Sequence, residues 1–309
     1  MSGVNENFTK YISALILGLV LLGIGALPQS IAHAQDWDGG ITNPASATPD
    51  SLATRATYVD LVTLAERSEL VARVQIRRQT VVAPERSPGL SPGFVRLYVE
   101  ADTIALVAGA RGVSESVVYL VDVPLNEKGK APKLKKREML LLANASGRGP
   151  KGETQLQLAS PFAQLAYSPV LESRLRPILT DLVSRAAPPV ITGVGDALAV
   201  PGTLTGESET QIFLATQDGS PVSITVLRRP AQPPAWGISW GEIIDSAARA
   251  PESETLPWYR LTCALPETLP SSANLARDPV ARRLAASDYA YVMNALGPCA
   301  RAITKAQES

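Results

Sequence analysis

Gly237-Ile238-Ser239-Trp240-Gly241 spells G-x-S-x-G, the spacing that sets a nucleophilic serine on a sharp turn between a strand and a helix. A strand pattern precedes it, and a helix pattern, Glu242 to Ala248, follows. That chemistry needs a histidine to take the serine proton. The chain has one histidine, His33, and it lies in an N-terminal segment that reads as removable. A strand end fits the residues better: Trp236, Ile238 and Trp240 share one face, and the small Gly237, Ser239 and Gly241 lie opposite, where another backbone can approach. Gly147-x-Gly149-x-x-Gly152 spells the dinucleotide fingerprint, which requires a helix after its last glycine. Thr154 to Leu158 alternates like a strand instead, so a hairpin loop is expected. Glu207 and Glu209, with Asp196 upstream, are the residue types that cleave glycosidic bonds in pairs, but acids in a Gly/Ser/Thr turn are ordinarily solvated. Asp36 and Asp38 before Gly39-Gly40 fall well short of a twelve-residue calcium loop. No catalytic, cofactor-binding or metal-ligating residue is assigned, and no cofactor is expected.

One cluster remains after these exclusions. Lys128, Lys130, Lys133, Lys135 and Lys136, followed by Arg137, form a window that no acidic residue interrupts. Gly129 and Pro132 break regular structure within it, and strand patterns flank it. Six like charges cannot be packed inside, so an exposed loop is expected, and it is the candidate contact for an anionic membrane or envelope surface. The plain alternative is a solubilising turn. The window has no interleaved aromatic residues for base stacking, and the chain as a whole carries 29 basic and 29 acidic residues. Nucleic acid is not an expected partner.

The compartment follows from the first residues. Lys10 precedes a run of apolar and small residues from Ile12 to Leu27, broken only by Ser13 and ended by Pro28, and the small-x-small triplet Ala32-His33-Ala34 comes next. This is the layout of a cleavable secretory signal, with an apolar run shorter than the ~20 residues of a spanning helix. Cleavage is expected after Ala34, giving an exported, periplasmic or envelope-associated protein. An uncleaved anchor is the alternative. Loss of His33 removes the default general base near neutral pH and a common metal ligand. Export also suits a disulfide between the two cysteines, Cys263 and Cys299. They form no C-x-x-C pair, and two free thiols are the alternative.

The elements that must position these residues are mostly strands. Residues 35–56, rich in Gly, Pro, Ala, Ser and Thr, read as a flexible linker. Thr57 and Asp60 fit a capping box opening a helix. Period-two alternation then marks Leu70 to Arg78, Phe94 to Val107 and Val117 to Val123, with shorter runs at Met139 to Ala143 and Gln155 to Leu158. A helix is expected from Pro169 to Arg185. Strands follow at Val190 to Val200, Thr210 to Thr216, Val222 to Arg228 and Ala235 to Trp240, with Asp218-Gly219 turning a hairpin. A last helix runs from its cap, Asp278, to Gly297-Pro298. The expected fold is α+β and predominantly antiparallel β, with a signal peptide at 1–34, the linker at 35–56, a small OB-like barrel domain at 57–167 and a smaller α+β domain at 168–309.

Several strings resemble an uncharacterised family of exported alphaproteobacterial proteins: residues 84–89 (PERSPG), 119–124 (YLVDVP), 132–136 (PKLKK), 206–214 (GESETQIFL) and 258–261 (WYRL). The resemblance covers most of the chain after the signal segment and implies export, but no activity. The reading is therefore a non-enzymatic envelope protein that binds an anionic component, with a carboxylate- or Ser/Lys-dependent hydrolase as the alternative.

Overall fold

Thr48 starts the first helix. Its hydroxyl accepts from the backbone N–H of Ser51, and Pro49 takes the first helical position, where a missing N–H costs nothing. Helix α1 (Pro49–Arg55) buries Leu52 and packs on the strand Gln164–Ala166. This corrects the linker expected over 35–56: its last residues contain a cap, a proline and an apolar anchor, and composition alone hid them. The computed structural model describes residues 47–242 and 248–304, all within one compact unit. The expected signal peptide at 1–34, residues 35–46 and most of the expected Glu242–Ala248 helix lie outside the described residues.

Helix α2 (Tyr58–Glu66) opens with the expected capping box of Thr57 and Asp60. Asp60 does more than cap. It is fully buried, and its carboxylate accepts from the N–H of Thr57 (3.0 Å), of Ala302 (2.9 Å) and of Thr304 (2.9 Å), and from the Thr304 hydroxyl (2.7 Å). The C-terminal segment is thereby clipped onto the start of α2. Burial pushes the Asp60 carboxyl up, but the Thr304 hydroxyl and the backbone donors of Thr57, Ala302 and Thr304 outweigh it and leave it below the ordinary aspartate value.

Six strands follow: β1 (Leu70–Val81), β2 (Phe94–Gly109), β3 (Ser116–Pro124), β4 (Glu138–Arg148), β5 (Thr154–Leu158) and β6 (Gln164–Ala166). The order β1-β2-β3-β5-β4 returns to β1, so the first five close into an OB-like barrel. The expected alternation fills its interior, with Val74, Ile76, Leu97, Val99, Val121 and Leu141 among the enclosed side chains. Strand β4 outruns its expected Met139 to Ala143. Its first half pairs with β1 and β6, and its second half with β5. Met139 and Leu141 face the barrel core while Leu140 and Leu142 enter a second core, so both faces are buried and the run reads as continuously apolar.

Helix α3 (Pro169–Val183) ends two residues short of the expected Arg185, because Ser184 is already extended. Strands β7 (Ile191–Pro201), β8 (Ser208–Thr216), β9 (Val222–Arg228) and β10 (Ala235–Ser239) form a separate antiparallel meander. Helix α4 (Leu256–Thr262) and helix α5 (Pro279–Leu296) complete this part, and α5 packs on β7 and β8. Arg228 from β9 donates to the buried Asp288 of α5 at 2.5 Å, and the Thr210 hydroxyl of β8 donates to the same carboxylate. Cys263 and Cys299 are disulfide-bonded and join the end of α4 to the residues after α5.

Candidate functional site

The basic window is the β3–β4 connection, and specific bonds shape it. After β3, the Asn126 side chain accepts from the N–H of Lys128 and of Lys130, both at 3.0 Å, while Asn126 N–H donates to the Lys130 carbonyl at 2.9 Å. This tight turn places Gly129 at φ +68°, a conformation glycine adopts freely. The loop then crosses to β1. Gln79 donates to the Pro132 carbonyl at 2.7 Å and accepts from the Leu134 N–H at 2.6 Å. Leu134, between Lys133 and Lys135, drops into the barrel core and is 1% exposed. Lys136 takes a left-handed backbone, φ +68°, unusual for a residue with a side chain. Its N–H donates to the Ile76 carbonyl at 2.7 Å, and Ile76 N–H donates to the Arg137 carbonyl at 2.9 Å.

Lys128, Lys130, Lys133, Lys135 and Lys136 are all exposed. Among the described residues none of the five forms an ion pair. Arg137 differs: it is half-buried and its guanidinium is paired with Asp50 on α1. The cationic surface is therefore the five lysines, while Arg137 anchors the loop's end. Leu134 was legible as one apolar side chain within a basic run. Gln79 and Asp50 carry no local signal of their role, since each meets the loop only through the fold.

The other motifs fall where chemistry is hard to assemble. Gly147 lies within β4 beside a register shift, and Gly152 (φ +84°) sits in the β4–β5 hairpin, with a strand rather than a helix after it. Asp196 stands opposite Phe213, and Glu209 opposite Val200, so four residues of β7 separate the two acids. At ~3.3 Å per residue this puts roughly 13 Å between their backbones. Glu207 accepts from the Leu204 N–H of its own turn, and Glu209 accepts from Gln211. Ser239 is 5% exposed at the end of β10.

Gly237 is small for a packing reason. A β-carbon there would lie 2.1 Å from the Ala248 carbonyl oxygen and 2.7 Å from the Arg249 nitrogen. Gly237→Ala is expected to lower stability by about 2 kcal/mol or more, since backbone must move to admit the methyl. Chemical denaturation checks this, and a variant as stable as wild type would show that the approach relaxes freely.

Compared with known proteins, the chain matches no family model and no curated protein.

Proposed function

We propose that this chain is exported, is cleaved near Ala34, and serves without catalysis as an envelope protein that docks on an anionic surface through its β3–β4 loop. The observation that carries the reading is the combination of five exposed lysines without carboxylate partners among the described residues and a backbone fixed by Asn126, Gln79 and Leu134. A merely solubilising turn has no need of a buried plug or a two-bond amide clamp. Each basic residue held near an anionic bilayer is worth ~1 kcal/mol, and screening beyond ~8 Å at physiological salt confines the effect to close contact.

Co-sedimentation with vesicles tests it. The exported protein is expected to pellet with vesicles rich in anionic lipid, more at low than at physiological salt, and to stay in solution with neutral vesicles. A variant with Lys128, Lys130, Lys133, Lys135 and Lys136 changed to Gln is expected to lose at least about tenfold in affinity, a fraction of the summed electrostatic contribution. Equal pelleting of both proteins would reduce the loop to a solvated turn.

A further inference from the structure

A second feature is independent of the lysine loop. A groove of 780 Å³ crosses the outer face of the barrel over β1, β2, β3 and β5. Its lining includes Tyr98 (37% exposed), Leu120 (51% exposed), Arg78, Arg86, Thr80 and Gln155, and one acid, Glu100, which is paired with Arg77 at 3.4 Å. Among the described residues, the Tyr98 hydroxyl, the Thr80 hydroxyl and the Gln155 amide form no side-chain hydrogen bond, and Arg86 has no ion pair. Arg78 only approaches Glu100, at 3.9 Å. Burial, then Glu100 and Glu153, push the Tyr98 hydroxyl above its ordinary value, so it is a donor at neutral pH. The Arg86 loop is held in shape: Ser87 is buried and donates to the Ala83 carbonyl at 3.2 Å, and Arg96 donates to the Pro88 carbonyl at 3.3 Å.

We infer that this groove binds an oligosaccharide carrying acid groups. One exposed aromatic face beside an aliphatic side chain suits the apolar face of a sugar ring. The unpaired hydroxyls and amide suit sugar hydroxyls, and the Arg86 guanidinium suits a carboxylate or phosphate on the glycan. Single-stranded nucleic acid is a poorer fit, because it needs an aromatic platform for successive bases and the lining holds one tyrosine beyond the buried Tyr119. An extended peptide would add through its backbone to an open sheet edge, whereas the polar groups gathered here, Tyr98, Thr80, Gln155 and Arg86, are side chains lining a groove across the sheet's face.

Isothermal titration of the exported protein tests the inference, with tetragalacturonate and pentamannose phosphate as the carboxylate and phosphate probes, and mannopentaose and decathymidylate as comparisons. At least one acidic glycan is expected to bind, roughly tenfold or more tighter than mannopentaose, and whichever binds tighter names the acid group. Tyr98→Ala and Arg86→Gln are each expected to weaken it about tenfold, while Tyr98→Phe, which keeps the ring, weakens it less. The five-lysine Gln variant is expected to bind as wild type does, which separates this site from the loop. Failure of both acidic glycans to bind would overturn the inference. So would unchanged affinity in both Tyr98→Ala and Arg86→Gln, loss only in the lysine variant, or tighter binding of decathymidylate.

Discussion

Asp60→Ala is expected to lower the free energy of unfolding by about 3–5 kcal/mol, because several buried donors lose their acceptor at once. The carboxylate is 0% exposed and gathers the backbone N–H groups of Thr57, Ala302 and Thr304 at 2.9–3.0 Å, with Ile303 N–H at 3.3 Å. Alanine leaves the donors of the C-terminal segment buried without an acceptor, and each such group costs about 1–3 kcal/mol. Asp60→Asn keeps the shape but turns one acceptor into a donor facing other donors, so a large loss is expected there too. Urea titration at neutral pH checks both. A change within about 0.5 kcal/mol, the size of an ordinary surface substitution, would mean that the segment re-forms its bonds elsewhere. The same group sets an acid signature. Its folded pKa lies below the unfolded value of ~3.9, so its contribution is complete above that value and is lost as pH falls through the folded pKa. The stability gap between wild type and Asp60→Ala should narrow over that acid window and stay constant near neutrality.

Removing the Cys263–Cys299 bridge ranks beside it. Its partners are 36 residues apart, and the chain-entropy model gives about 3.8 kcal/mol for closing such a loop. The folded state keeps other ties at the same place: Trp258 Nε1 donates to the Leu296 carbonyl at 2.8 Å, and the Thr262 hydroxyl to the Gly297 carbonyl at 2.6 Å. The effect should therefore fall on the unfolded chain, giving a near-native spectrum with a markedly lower urea midpoint in reductant or in the Cys263→Ala/Cys299→Ala variant. An unchanged midpoint would mean that the bridge constrains nothing the unfolded chain would otherwise explore.

Period-two alternation made β1, β2 and β3 legible, because one face of each points into the barrel. It said less of β4, where burial on both faces erases the alternation around Leu140 and Leu142. The parallel pairing of β3 with β5, which completes the barrel, joins residues far apart in sequence and leaves no local trace. Helix α1 was hidden because its Pro, Ser and Thr residues serve a cap as well as they serve a linker. At the candidate site the charges were legible and their support was not. The run of lysines required exposure, but nothing near it announced that Gln79 would clamp the loop or that Asp50 would withdraw Arg137 from the cationic surface. Gly237 shows the reverse case: small residues opposite two tryptophans implied a close backbone neighbour, and Ala248 supplies it.

Docking through the β3–β4 loop would shield its lysines, which lysine-specific acetylation reads directly. Lys128, Lys130, Lys133, Lys135 and Lys136 lie on the β3–β4 loop, and exposed Lys151 lies on the β4–β5 turn at the other end of β4. Labelling the protein with and without anionic vesicles is expected to show protection of the five loop lysines and unchanged labelling of Lys151. Equal labelling of all six with and without vesicles, or protection of Lys151 to the same degree as the loop, would contradict the assignment of this loop as the docking surface.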